Sequence, residues 1–170
     1  MATSANERFA ALSPTNQVCA HVSLKMAQAA SMIFPPAYVG LSLIRRRPMS
    51  VSRAMRGAEI SVFGAAALGW GVGYARLQNQ SPEAIEDRVY RLKHKKTQVR
   101  ADDYSFIGAF MGILLFPAIF LKRANIVQLA AGGASLGLGA GVWVHVAKGF
   151  SEGREIKPEG MASELPELKN

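Results

Sequence analysis

Four sets of residues in this sequence have types and spacings that suit chemistry or recognition. Asp102 and Asp103 are adjacent carboxylates, the raw material of acid–base catalysis. His145 sits in an otherwise uncharged run, where an ionisable ring raises the question of a proton relay or a haem ligand. Arg45, Arg46, Arg47 and Arg53 form a cationic group of the kind that grips phosphate. Glycines recur at every fourth position: Gly69 and Gly73, Gly108 and Gly112, and Gly133, Gly137 and Gly141. Residues four apart lie on one ridge of a helix, and a ridge without side chains lets two backbones approach closely.

The elements that must carry these residues are set by where charge is missing. Four stretches contain no Asp, Glu, Lys or Arg: residues 26–44, 60–75, 104–121 and 124–147, of 19, 16, 18 and 24 residues. Crossing a bilayer core takes about 20 apolar residues, within a range of about 17 to 25. A charge at mid-bilayer costs about 2.5 kcal/mol or more, which is why spanning helices lack them. The expectation is an all-α membrane protein with about four transmembrane helices in two antiparallel hairpins, joined by an amphipathic helix. The second stretch is short and needs Gly57 and Ala58 to complete it. A soluble bundle is the competing fold, but few polar faces would remain to cover four such helices.

Composition agrees. Of 170 residues 49% are hydrophobic and 19% charged, below the roughly 25% typical of soluble domains. The net charge of +8 suits nucleic acid in principle, but the long uncharged runs argue for lipid instead, and no nucleic-acid partner is expected. Cys19, the single cysteine, excludes an intramolecular disulfide and a cysteine-rich zinc site. Neither a secretory signal nor an arginine-rich presequence is expected from residues 1–17.

The chain divides into a polar segment 1–25, a first hairpin 26–75, a polar connector 76–103, a second hairpin 104–147 and a polar tail 148–170. Lys122-Arg123 is so short a joint that the third and fourth helices must be antiparallel neighbours. Four spans place both termini on one side. The hairpin side then holds seven Lys/Arg and one acid, the terminus side thirteen and eleven. Density in short loops points the hairpin side to the cytoplasm or matrix; the absolute count points the other way.

In the connector, Ser81 and Pro82 start a helix whose Ile85, Val89, Leu92 and Val99 form one apolar stripe. Asp102 and Asp103 then fall at the N-terminus of the third helix, where carboxylates complement its dipole, a plainer role than catalysis. His145, two residues past Trp143, suits a hydrogen-bonded histidine at the membrane interface. The arginines suit topology determination, with a cardiolipin-type headgroup as a candidate ligand. Pro35-Pro36 should kink or break the first helix, leaving a re-entrant segment as an alternative, and Pro117 should bend the third. No P-loop, dinucleotide fingerprint, zinc-protease motif or nucleophile elbow occurs, so neither catalytic residues nor cofactor or metal sites are expected.

MIFPPAYVG, RADDYSFIGAFMG, ASLGLGAGVWVH and SEGREIKPEGM together resemble the fungal mitochondrial NUXM-type accessory membrane subunits of respiratory complex I (NADH:ubiquinone oxidoreductase). The resemblance covers about residues 26–161. It implies a multi-pass protein of the mitochondrial inner membrane in the membrane arm of that complex. It implies a role in assembly or stability, other subunits and phospholipids as partners, and no cofactor or catalytic residue of its own. The alternative is a membrane-shaping or protein-import component that self-associates through the same glycine ridges.

Overall fold

The computed structural model describes residues 12–46, 48–94 and 96–152. Among them are five α-helices and no strand: α1 (Pro14–Ile44), α2 (Val51–Leu77), α3 (Pro82–His94), α4 (Lys96–Phe120) and α5 (Ile126–Ser151). Three of them, α1, α4 and α5, are long and apolar enough to cross a membrane. The described residues are accordingly all-helical, with helices fit to cross a membrane. α2 has the length, with 27 residues, but is not among those three. Glu59, Arg76 and its polar-edged Trp70 and Tyr74 dilute a stretch that has only 16 uncharged residues in sequence. The expected count of four spans is therefore three by length and apolarity.

α1 starts twelve residues before the apolar run. Ser13 caps it, its hydroxyl accepting from the Asn16 amide at 3.4 Å, and Pro14 occupies the first turn. The helix then continues unbroken through Pro35 and Pro36, correcting the expected break, on which the re-entrant alternative rested. Pro35 removes the amide that would bond the Ser31 carbonyl. α5 covers that carbonyl: a Cβ on Gly139 would lie 2.6 Å from Ser31 O. α4 likewise runs through Pro117 to Phe120.

The connector also differs from expectation. α2 extends to Leu77, α3 ends at His94 and α4 begins at Lys96, so the apolar stripe does not extend along a single helix. Ile85 and Val89 are buried against Val18, Cys19 and Leu77, with Leu92 packed beside them. Val99 belongs to α4 and is exposed. Asp102 and Asp103 consequently lie two turns inside α4 rather than at its N-terminus.

The helices form two hairpins, α1–α2 and α4–α5, with α5 also lying against α2 and α1. α4 leans mainly on α5. In the most apolar window of α5, 44% of residues are buried, against 11% for α4, so α5 is the hub and α4 the outer helix. The side-chain distribution is inverted relative to a soluble core. Ser31, Ser105, Cys19 and Leu129 are the largest fully buried side chains. Phe63, Phe106, Ile107, Phe110 and Ile119 are exposed. Small residues inside and large apolar ones outside is the arrangement that lipid, not water, accommodates.

Candidate helix-docking seams and a polar latch

The seven glycines singled out by spacing all lie at helix contacts, in two seams. Gly108 and Gly112 of α4 meet Gly133, Gly137 and Gly141 of α5 backbone to backbone. A Cβ on Gly137 would come within 2.8 Å of the Gly108 carbonyl carbon, and one on Gly112 within 2.7 Å of the Gly133 carbonyl carbon. One on Gly141 would meet Ser105 Cα at 2.8 Å. No room for any side chain exists along this line. Gly69 and Gly73 of α2 form the other seam, on α1. A Cβ on Gly69 would meet Ser23 Cα at 2.9 Å, and one on Gly73 would meet Cys19 Cα at 3.3 Å.

Further contacts escaped the four-residue spacing. Gly132 and Gly139, seven apart on another face of α5, lie against Met55 of α2 and Ser31 of α1. Gly57 of α2 faces the Phe34 ring. The hub helix thus carries glycine on two faces, and the signal for the second was a seven-residue repeat hidden inside a glycine-rich run.

The polar side chains mostly join helices. Lys25 Nζ lies 2.6 Å from Asp102 Oδ1 and 3.1 Å from Gln28 Oε1. Gln28 Nε2 donates to Asp102 Oδ1 at 2.7 Å and to Ser105 Oγ at 2.8 Å. Ser105 Oγ in turn donates to the Asp102 carbonyl at 2.8 Å. Gln28 and Ser105 are buried, while Lys25 and Asp102 side chains keep 31% and 17% exposure. One turn along, Ser31 Oγ donates to the Ser135 carbonyl of α5. This group latches the first hairpin to the second. It also corrects the dipole role expected for Asp102: the carboxylate faces a lysine 77 residues away. Asp103 is exposed. At the opposite end, Gln128 Nε2 donates to the Ser52 carbonyl at 2.9 Å, tying α5 to α2.

Near the latch, the His145 ring is 5.4 Å from the Tyr104 ring, and Lys148 Nζ bonds Tyr104 Oη at 3.2 Å. Trp143 is exposed beside them. Among the described residues no three His, Cys, Asp or Glu side chains gather as metal ligands. At the hairpin end Arg45, Arg46 and Arg53 are exposed, and Arg53 Nη2 donates to the Pro48 carbonyl at 3.2 Å. Arg47 lies outside the described residues. Arg46 has φ +48°, a left-handed residue closing α1, and its amide bonds the Leu43 carbonyl at 3.1 Å.

A family model described as a protein of unknown function, DUF1757, matches residues 6–118, two thirds of the chain. The match takes in α1 to α3 and nearly all of α4. No curated protein and no solved structure matches the chain.

Proposed function

We propose that this chain, which belongs to the DUF1757 family, is a non-catalytic accessory subunit of a mitochondrial inner-membrane complex, by its resemblance the membrane arm of respiratory complex I. In this reading it spans the membrane four times. α2 crosses because it lies antiparallel along α1: Gly57 meets Phe34 at one level, and Gly73 meets Cys19 at the other. The hairpin-end arginines meet anionic lipid there, with a cardiolipin-type headgroup as candidate.

One observation carries the proposal. Glycines and polar side chains are turned inward to hold helices together, while α4 offers an outer face of Phe106, Ile107, Phe110 and Ile119. A rigid bundle with an unshared apolar flank suits a subunit that fills a place among other membrane helices. The test is migration of the tagged full chain on native gels of digitonin-solubilised membranes. Co-migration with NADH dehydrogenase activity is expected. Migration as a homo-oligomer, or with a protein-import complex, overturns the assignment.

The self-associating alternative needs glycines other than those predicted, since the seven already serve contacts within the chain. Gly64 and Gly71 on α2 supply one opening, as a Cβ on either would meet nothing within 4 Å. Gly64→Leu separates the readings: loss of a homo-oligomer favours self-association, and unchanged assembly removes it.

A further inference from the structure

A groove of about 450 Å³ lies between the start of α1 and the outer side of α3. Its apolar lining comes from Val18 and Val22 of α1 and Leu92 of α3. His21, Arg88 and Arg91 edge it, with Asp87 the carboxylate among them. Asp87 is hydrogen-bonded to Arg91, one turn away. Arg88 is exposed and has no carboxylate partner among the described residues. Gln98, at the start of α4, also lines the groove, and its Oε1 is buried without a hydrogen-bond partner. The site therefore offers a surplus cation, a second arginine, an orphaned acceptor and an apolar lining.

Its depth identifies the ligand. Lys25 is the last charge before the uncharged run that starts at Met26. Val18 to Val22 stand about 6 to 12 Å outside that run at 1.5 Å per residue. The polar region of each leaflet extends about 5 to 8 Å beyond the hydrocarbon. The inner end of the groove, at Val22, thus falls at headgroup level, on the side of the molecule opposite Arg45, Arg46 and Arg53, and its outer end at Val18 reaches beyond that layer. We infer that the α1–α3 groove holds an anionic phospholipid with a hydroxylated headgroup, of the phosphatidylglycerol type. The phosphate lies between Arg88 and Arg91, a headgroup hydroxyl donates to Gln98 Oε1, and the glycerol backbone with its ester-linked first methylenes covers Val22 and Leu92. The inference rests on the membrane placement of α1 and not on membership of any complex, so a failed co-migration leaves it standing.

The experiment uses the full chain in phosphatidylcholine nanodiscs, with Ala84→Cys carrying a fluorophore at the groove; native Cys19 is fully buried. Phosphatidylglycerol or phosphatidylcholine with a nitroxide near the top of one acyl chain is titrated in, and quenching is read. Phosphatidylglycerol is expected to associate about tenfold more tightly, because the two arginines near the surface attract its anionic phosphate and Asp87 offsets part of that. Arg88→Gln with Arg91→Gln brings the two lipids to parity. Asp87→Asn, which removes the competing carboxylate, strengthens phosphatidylglycerol by about fivefold, a gain that misfolding cannot produce. Equal quenching by both lipids in the native chain, or no gain with Asp87→Asn, overturns the inference. Displacement by free glycerol phosphate at millimolar concentration overturns the lipid source and assigns the groove to a soluble phosphate.

Discussion

The two hairpins are built differently. Along α4–α5, backbone meets backbone: Gly108 and Gly112 against Gly133, Gly137 and Gly141. Along α1–α2, glycine alternates with side chains that reach across. Phe34 fills the space over Gly57, Ser23 Oγ donates to the Ala66 carbonyl at 2.8 Å, and Tyr38 Oη and the Ser50 amide share a bond at 3.3 Å. The first seam has no movable atom in its path, so its energy is all close packing. The second has rings, hydroxyls and a slightly wider gap at Gly73. A seam of backbone alone is specific and brittle; a seam with side chains is adaptable. In lipid, where apolar surface gives little drive between helices, both kinds must supply the attraction by contact.

Substitution separates the two. Gly137→Leu has the largest expected effect, about 3 kcal/mol or more, because the obstructing atoms are carbonyls that cannot rotate away. Loss of resistance to protease at the 121–125 joint in detergent reads it, and native-like resistance would show that the seam is looser than its distances. The latch between hairpins comes next. Lys25→Met alone should cost about 2 kcal/mol, discounted from a fully buried pair because both partners keep some solvent. Asp102→Leu combined with Lys25→Met should recover part of that loss, since the second change removes the stranded charge. A double-mutant cycle on detergent thermal unfolding checks this, and strict additivity would mean the pair contributes nothing.

Smaller effects sharpen the contrast. Gly64→Ala, on the open face of α2, should stabilise by about 0.5 to 1 kcal/mol through helix propensity, measured as a rise in unfolding midpoint. A fall would place another molecule against that face. Gly73→Ala should be nearly neutral, within about 0.5 kcal/mol, because Cys19 needs to yield only slightly and propensity offsets the crowding. A large loss there would make the first hairpin as rigid as the second.

Much of this was legible in the chain. Uncharged runs gave the approximate positions of the long helices, and the brief Lys122-Arg123 joint gave the antiparallel α4–α5 pair. The four-residue glycine spacing marked the seams, since a ridge of one helix is a local property. Which helix each ridge would meet was not local. Lys25 and Asp102 are 77 residues apart, and nothing near either one names the other. Pro35-Pro36 points to a break for the same reason: a proline's penalty is written in its own sequence, while the α5 helix that packs over this turn at Gly139 lies a hundred residues on. The connector was misread because Val99 kept the apolar phase of Ile85 and Val89 across a change of helix. Period alone does not reveal where one helix hands over to the next.

The position of α5 as hub sets the timing of biogenesis. The segment on which the others lean leaves the ribosome after them. Until it emerges, Met55 faces no glycine, the Ser31 carbonyl has no cover, and α4 has lost its main neighbour. The α1–α2 seam, with Gly69 and Gly73 on Ser23 and Cys19, needs nothing from α5, whereas Gly108 and Gly112 of α4 stay uncovered until α5 arrives.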